Sequence, residues 1–341
     1  MAIIDMEGFD VSRSEAAMGY NYSSVTFGAS APTWVTGRHG RYAIQAGEDL
    51  ASWVWDLGGN YTTLFMNFAL YINGSETEDL FVFRDSGSEQ VTLRIVPSGN
   101  DYQLQFRRGG TTLGTSATYS ASSWRAHYVK IVVNNSTGEV EIATDGTLSV
   151  DLTAQDTQQT GNAYINEILV GIHAASGGTV RLDDIQVYDN SGSKNNTIVN
   201  DITVEERLAD GDGTDTEWLA QGAGDHYVEV DEDTAPDDAS TYIYASVNGI
   251  RDLFTFQDLE GSSTTVYGVV LDTICRLDVA GSRTIRSVIK DGADESESAD
   301  ITVDSTSWER KKAVFDAEPN GSSDWSQTLF NDTEFGVKAQ A

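Results

Sequence analysis

Cysteine is nearly absent from this 341-residue chain: Cys275 is the only one. A lone thiol closes no intrachain disulfide, which excludes the stapled architecture of small secreted modules. It lies in an apolar alternation and reads as a buried, inert thiol. Such a chain suits folding in a reducing cytoplasm and release by lysis. The opening Met1-Ala-Ile-Ile-Asp-Met-Glu-Gly8 has no basic stretch and no long apolar core, so no signal peptide is expected. The Asn-x-Ser/Thr triplets at Asn21, Asn60, Asn73 and Asn320 then read as chance. No apolar run approaches a membrane span, so no membrane insertion is expected. Basic residues are also scarce, with 21 Lys and Arg against 53 Asp and Glu, a formal charge of -32. That balance excludes a phosphate-binding stripe for nucleic acid and attraction to anionic membranes. It favours a soluble chain whose close acidic surfaces are paired or bridged by cations. Proline is rare at four residues, whereas glycine reaches 32.

What is present is β pattern. Leu64, Met66, Phe68 and Leu70 alternate, as do Val91, Leu93 and Ile95, then Tyr102, Leu104 and Phe106, then Val129, Ile131 and Val133. Asn134-Asn-Ser-Thr-Gly138 and Asp145-Gly146 are hairpin turns around a returning strand at 139–143. Ile168, Val170 and Ile172 follow, then Val180 to Tyr188. The second half repeats this logic, with 266–278 reading as a central strand buried on both sides. Helical periodicity is limited to a single turn at Ser12–Met18, and no short repeat is present. The polar stretch 189–200 reads as the connection between two modules. The expected fold is all-β: two antiparallel sandwich domains of jelly-roll type, 1–190 and 204–341, joined by a linker at 191–203.

Trp124-Arg-Ala-His127-Tyr-Val129, Thr137-Gly138-Glu-Val-Glu-Ile, Asp145-Gly146 and Arg181-Leu-Asp183-Asp184-Ile185-Gln-Val187-Tyr188 together resemble the concanavalin A-like, or laminin-G-like, jelly roll over residues 1–190. The whole chain resembles two-module virion proteins of tailed bacteriophages. That likeness is carried by Met1–Asp10, Gly37-Arg-His-Gly40, Tyr61-Thr-Thr, Glu206–Gly213, His226–Glu232 and Phe335-Gly-Val-Lys. It implies a non-enzymatic virion structural protein at the tail, fibre or capsid surface, made in the host cytoplasm. Its implied partners are other virion proteins, with a host-surface glycan as a further one. Exposed sheet edges add self-association into a homo-oligomer. A lectin-like protein of a bacterial surface is the alternative reading, and a glycan hydrolase is a third.

Asp210, Asp212, Asp215 and Glu217 fall at spacings that aim several oxygens at one hard cation, so calcium is the cofactor to consider, although the EF-hand register fails. An acidic loop is the competing reading. Asp231, Glu232, Asp233, Asp237 and Asp238 form a second such run. For Asp183 and Asp184 a structural role is favoured, because successive strand residues point to opposite faces and only one would face a given site. Glu139 with Glu141, and Glu295 with Glu297, have the alternate spacing of glycosidase carboxylates but lack the surrounding pattern. His39, His127, His173 and His226 make no zinc spacing. No nucleophile elbow, phosphate-binding loop or dinucleotide fingerprint is present. The pairs Trp53/Trp55 and Tyr242/Tyr244 are either core or sugar-stacking surfaces, with core favoured.

Overall fold

The computed structural model describes all residues except 1, 12, 75–76, 175–177, 193–200, 223, 233–236, 238–239, 261–264, 322–323 and 341. The chain is almost all β, in antiparallel sheets, and divides into two compact units, Met1–Val204 and Glu205–Ala341. The segment at 201–204 thus belongs to the first unit, and most of the expected linker lies outside the described residues.

The first unit is a jelly-roll sandwich. One sheet orders its strands Thr147–Gln155, Gly138–Thr144, Trp124–Val132, Thr63–Asn73, Thr179–Tyr188, Tyr42–Gln45 and Thr33–Thr36, with Ile3–Glu7 also on Thr179–Tyr188. The facing sheet orders Thr111–Thr115, Asp101–Arg108, Ser88–Ser98, Glu78–Asp85, Ile165–Ile172, Ala51–Tyr61 and Ser24–Phe27. The period-2 pattern explains the packing: Leu64, Met66, Phe68, Leu70 and Ile72 point inward against Phe81, Phe83, Leu93, Leu104 and Phe106 in one continuous core. Each such side chain contributes about 1.5–3 kcal/mol on burial. Trp53 and Trp55 are fully buried in this core. The single helix of this unit, Glu15–Asn21, begins where the Ser14 hydroxyl accepts the Ala17 amide at 3.0 Å.

Asp5 and Glu7, in the Ile3–Glu7 strand, are buried at 1% and 2% exposure. Asp5 accepts the Trp55 indole N–H at 2.7 Å, and Glu7 accepts the Tyr22 hydroxyl and the Phe9 amide. Two acids thus satisfy the polar tips of core aromatics, which otherwise cost free energy inside a sandwich.

The second unit has a six-stranded sheet built on Ala209–Thr216, Arg251–Phe256, Glu334–Ala339, Arg283–Asp291 and Asp294–Glu297, with Ile301–Val303 paired to Arg283–Asp291. A separate two-stranded ribbon pairs Val269–Cys275 with Glu309–Phe315. Leu271 and Phe315 of the ribbon meet Ile289 and Phe335 of the sheet around Trp325, whose indole donates to Phe315 O at 2.9 Å. The expected central strand at 266–278 is therefore half of a ribbon, with one edge unpaired among the described residues. Its apolar residues on both faces reflect packing below and partial exposure above, not burial on both sides. Cys275 is half-buried rather than buried, and burial pushes its thiol up to about 11, which keeps it protonated near neutrality. No helix of the described residues is long and apolar enough to cross a membrane.

Replacing Trp55 by Phe keeps most of the buried ring but removes one donor to the Asp5 carboxylate. A loss of about 1–3 kcal/mol in unfolding free energy is expected in urea denaturation followed by far-UV circular dichroism.

Candidate functional site

The Thr179–Tyr188 strand does not alternate cleanly. Between Asp183 and Gln186 its register against Thr63–Asn73 shifts, and Asp184 takes a left-handed φ of 52°. The bulge defeats the rule that neighbouring residues face opposite ways. Both carboxylates reach one turn, Gly37-Arg38-His39-Gly40. Asp183 Oδ2 accepts the Arg38 amide at 3.0 Å, and Asp184 Oδ2 lies 3.3 Å from the Arg38 guanidinium. Gly37 is required here, because a Cβ on it would come 2.4 Å from Asp183 Oδ2. Arg38 also pairs with Asp201 at 2.8 Å and donates to Ile202 O at 2.7 Å, while Asp184 Oδ1 accepts the Val204 amide at 2.8 Å. The node therefore ties the 201–204 segment to the sandwich. Asp10 at the end of the opening motif accepts the Tyr42 amide and lies 3.5 Å from Arg41. The opening stretch, the Gly37–Gly40 turn and the Asp183-Asp184 stretch thus lie together, and both acids hold backbone and side chains of the fold in place.

Both carboxyls are held above the usual carboxylate range, Asp183 by burial and by the charge of Asp184, and Asp184 by burial against the opposing pull of Arg38. Asp184 Oδ2 makes no hydrogen bond, and it lines a cavity of about 10 Å³ with Arg38, Asn67, Ala126, Asp201 and Ile202. That space suits one water molecule, not a sugar.

The outward face of the same sheet offers a larger surface. Residues paired across neighbouring strands share a face, so the registers Gln45↔Arg181, Arg181↔Tyr71 and Tyr71↔Trp124 make a single row over four strands. At about 4.8 Å per strand the row is roughly 15 Å long. All four side chains are partly exposed. Gln45 Oε1 accepts Arg181 Nε at 2.8 Å, the Arg181 guanidinium lies 4.9 Å over the Tyr71 ring, and the Tyr71 and Trp124 rings are 5.8 Å apart. Beside the row lie Ala69 and Ala126, two small residues, and beyond them Asn67, Gln186 and Tyr188, linked by hydrogen bonds. Sequence reading placed Trp124 and Arg181 only as family markers and missed the row, because it exists only once four strand registers are fixed.

The other sequence-predicted positions are occupied by protein partners. Asp210 accepts the Thr255 hydroxyl at 3.0 Å, and Asp212 accepts the His226 and Tyr227 amides at 3.1 and 2.7 Å. Asp215 pairs with Arg251 at 2.9 Å and Lys290 at 3.1 Å, and Glu217 accepts the Arg251 amide. Burial pushes Asp215 up, but the two cations outweigh it and hold the carboxyl below its ordinary range. These acids sit along an extended strand and its exit instead of wrapping one point. Among the described residues no group of three His, Cys, Asp or Glu is placed to hold a metal. In the second acidic run Asp233 and Asp238 lie outside the described residues, while Glu232 and Asp237 both accept the Thr241 hydroxyl.

Glu139 and Glu141 share Lys130 Nζ at 2.6 and 2.8 Å. Glu295 and Glu297 lie in a strand, not in the turn-like stretch expected, and pair with Arg251 and with Arg286 and Lys338. His127 is a core residue between Tyr102 OH and Thr144 Oγ1 at 3.0 and 2.8 Å, and burial pushes it down to about 3. His226 Nδ1 meets the buried Asp252 at 2.5 Å, and burial raises that carboxyl while His226 and the Trp218 amide oppose the rise. Tyr242 and Tyr244 are 6.1 Å apart, with Tyr244 exposed.

No known protein-family profile matches the chain, and no curated protein matches it. Among solved structures it is similar to the alginate lyase Aly36B, at 12% identity over 54% of this chain and 96% of that one, with a TM-score of 0.40. A carbohydrate esterase of the Shiga toxin-encoding bacteriophage phi24B aligns at 15% identity over 55% and 99%, TM-score 0.39. Domain 4 of AbnA, an extracellular GH43 arabinanase of Geobacillus stearothermophilus, in complex with arabinotriose, aligns at 14% over 55% and 92%, TM-score 0.40. The fold assignment rests on the strand order given above. The expectation that the chain is not an enzyme is corrected by these neighbours, which include a lyase and an esterase. That expectation leaned on missing glycosidase carboxylates, a test that does not address other chemistries on glycans.

Because folding raises the Asp183–Asp184 pair above the 3.8 of a free carboxyl, the folded chain binds protons more tightly than the unfolded one. Its contribution to stability is greatest below that value and is lost as pH rises toward neutrality. Asp184→Asn, which keeps an acceptor for Val204, is expected to flatten this part of the stability–pH curve in urea melts between pH 4 and 8. Millimolar calcium is expected to leave the melting temperature within about 1 °C, measured by scanning calorimetry against an EDTA control, since a ligand stabilises only by binding the folded state.

Proposed function

We propose that this chain is a glycan-binding jelly-roll protein of a bacteriophage particle, and that the glycan lies along the Gln45–Arg181–Tyr71–Trp124 row. The observation that carries this reading is the row itself. Aromatic rings offer flat apolar faces to the carbon face of a sugar, while an amide and a guanidinium beside them supply hydrogen bonds to hydroxyls. The row stands on four paired strands, so its geometry is set by backbone registers and is preorganised. Its length suits an oligosaccharide better than a single sugar.

The setting in a virion is supported by the sequence resemblance, one motif of which, Gly37–Gly40, forms the Arg38 node on the same sheet. In that setting the partners are other virion proteins and further copies of this chain, with a host-surface glycan as ligand.

Trp124→Ala is expected to weaken binding on a glycan array by about tenfold, equivalent to 1.4 kcal/mol, without lowering the melting temperature appreciably. The same samples assayed for newly formed chain ends distinguish binding from turnover. Immunogold labelling of purified particles tests the setting: unlabelled particles in a staining lysate would remove the phage reading and leave glycan binding to be judged alone.

A further inference from the structure

The Arg181 guanidinium is the unusual member of the row. In a chain with 53 acidic residues against 21 basic ones, cations are rare and most are spent on ion pairs. On the same sheet Arg125 pairs with Asp145 at 2.6 Å, and Lys130 holds both Glu139 and Glu141. Arg38 pairs with Asp184 and Asp201. Arg181 has no carboxylate partner among the described residues. Its Nε donates to a neutral amide, Gln45, and its guanidinium carbon lies 4.9 Å over the Tyr71 ring. The stacking and the Gln45 bond fix the plane of the fork, while both Nη groups keep their hydrogens for something else.

A guanidinium offers two parallel N–H donors that match a carboxylate bidentately. Here that fork sits in one row with the Tyr71 and Trp124 rings, and Asp184, Glu139 and Glu141 of the same sheet are each paired with another cation. We infer that the glycan taken by this row is a carboxylated one, a uronate-type oligosaccharide. Its carboxylate pairs with Arg181 Nη1 and Nη2, and an adjoining sugar ring stacks on Trp124. This specificity rests on the glycan-binding reading above. The long-range repulsion from a charge of -32 does not oppose it strongly at physiological salt, where exposed charges more than about 8 Å away are largely screened.

The test is a panel of immobilised uronate oligosaccharides, each printed beside its carboxyl-reduced counterpart, probed with the full chain, Arg181→Met, Arg181→Lys and Trp124→Ala. The expected result is that the unmodified chain prefers the carboxylated member at least about tenfold, that Arg181→Met abolishes the preference, and that Arg181→Lys restores part of it. Comparable melting temperatures show that the variants fold, and the preference of the unmodified chain needs no variant at all. Equal binding of both members, lowered alike by Trp124→Ala, would overturn the carboxylate assignment while leaving the glycan site standing. No binding to any member would overturn both.

Discussion

The Arg38 guanidinium, paired with Asp184 and Asp201, is the interaction on which the first unit turns. Its burial is costly unless every donor finds an acceptor, because charge removed from water must be compensated locally. Asp184, Asp201, the Ile202 carbonyl and the His39 ring supply that compensation. The price is a left-handed backbone at Asp184, a conformation a non-glycine residue holds only when its surroundings impose it. Imposing it delivers both carboxylates to one side and joins the opening strand, the Gly37–Gly40 turn and the 201–204 segment to the strand at the middle of the sheet. Removing either partner would leave the other charged group buried and uncompensated, so the node holds or fails as a unit.

The bulge also shapes the surface beyond it. N-terminal to the register shift, Arg181 and Asp183 align with Tyr71 and Ala69; C-terminal to it, Gln186 and Tyr188 align with Asn67 and Phe65. One unpaired residue lets the strand carry a partly exposed charged and aromatic row at one end and a buried amide–phenol network at the other. Ala69, between them, is fully buried. A straight strand would place Asp184 and Gln186 on one face by parity and would send Asp183 to the opposite one.

How much of this was legible in sequence follows from what sets each feature. Period-2 apolar alternation is a local property, so the inward faces of the Thr63–Asn73, Ser88–Ser98 and Asp101–Arg108 strands could be read directly. The turn residues at 134–138 and 145–146 were equally local. The pairing of Tyr71 with Trp124 or Arg181 spans tens of residues and depends on strand order, which alternation does not encode. The strand at 269–275 departs from the expected central strand because an apolar ribbon and a central strand share one pattern. The burial of Asp5 and Glu7 has no local signal, because the donors that satisfy them, Trp55 and Tyr22, belong to other elements. For Asp183 and Asp184 strand parity predicts opposite faces, and the bulge that brings both to one turn is invisible to a rule that counts by two.

The acid excess deserves the same scrutiny, because it drew attention to the wrong residues. Closely spaced carboxylates such as Asp210, Asp212, Asp215 and Glu217 look like a cation trap when written in a line. On a strand they diverge, and each is met by a hydroxyl, an amide or a basic side chain of its own. In an acidic chain the acids are the background, and the rare cations carry the information about where charge is needed. Most of them lock strands together: Arg251 and Lys290 around Asp215, Arg286 and Lys338 around Glu297, Lys130 between two glutamates. Arg181 has no carboxylate partner among the described residues; like Arg276 over Trp308 it lies over an aromatic ring, but it alone of the two stands in a row with a second ring and an amide. It marks a place where the fold supplies order and hydrogen-bonding capacity that its own interior does not consume.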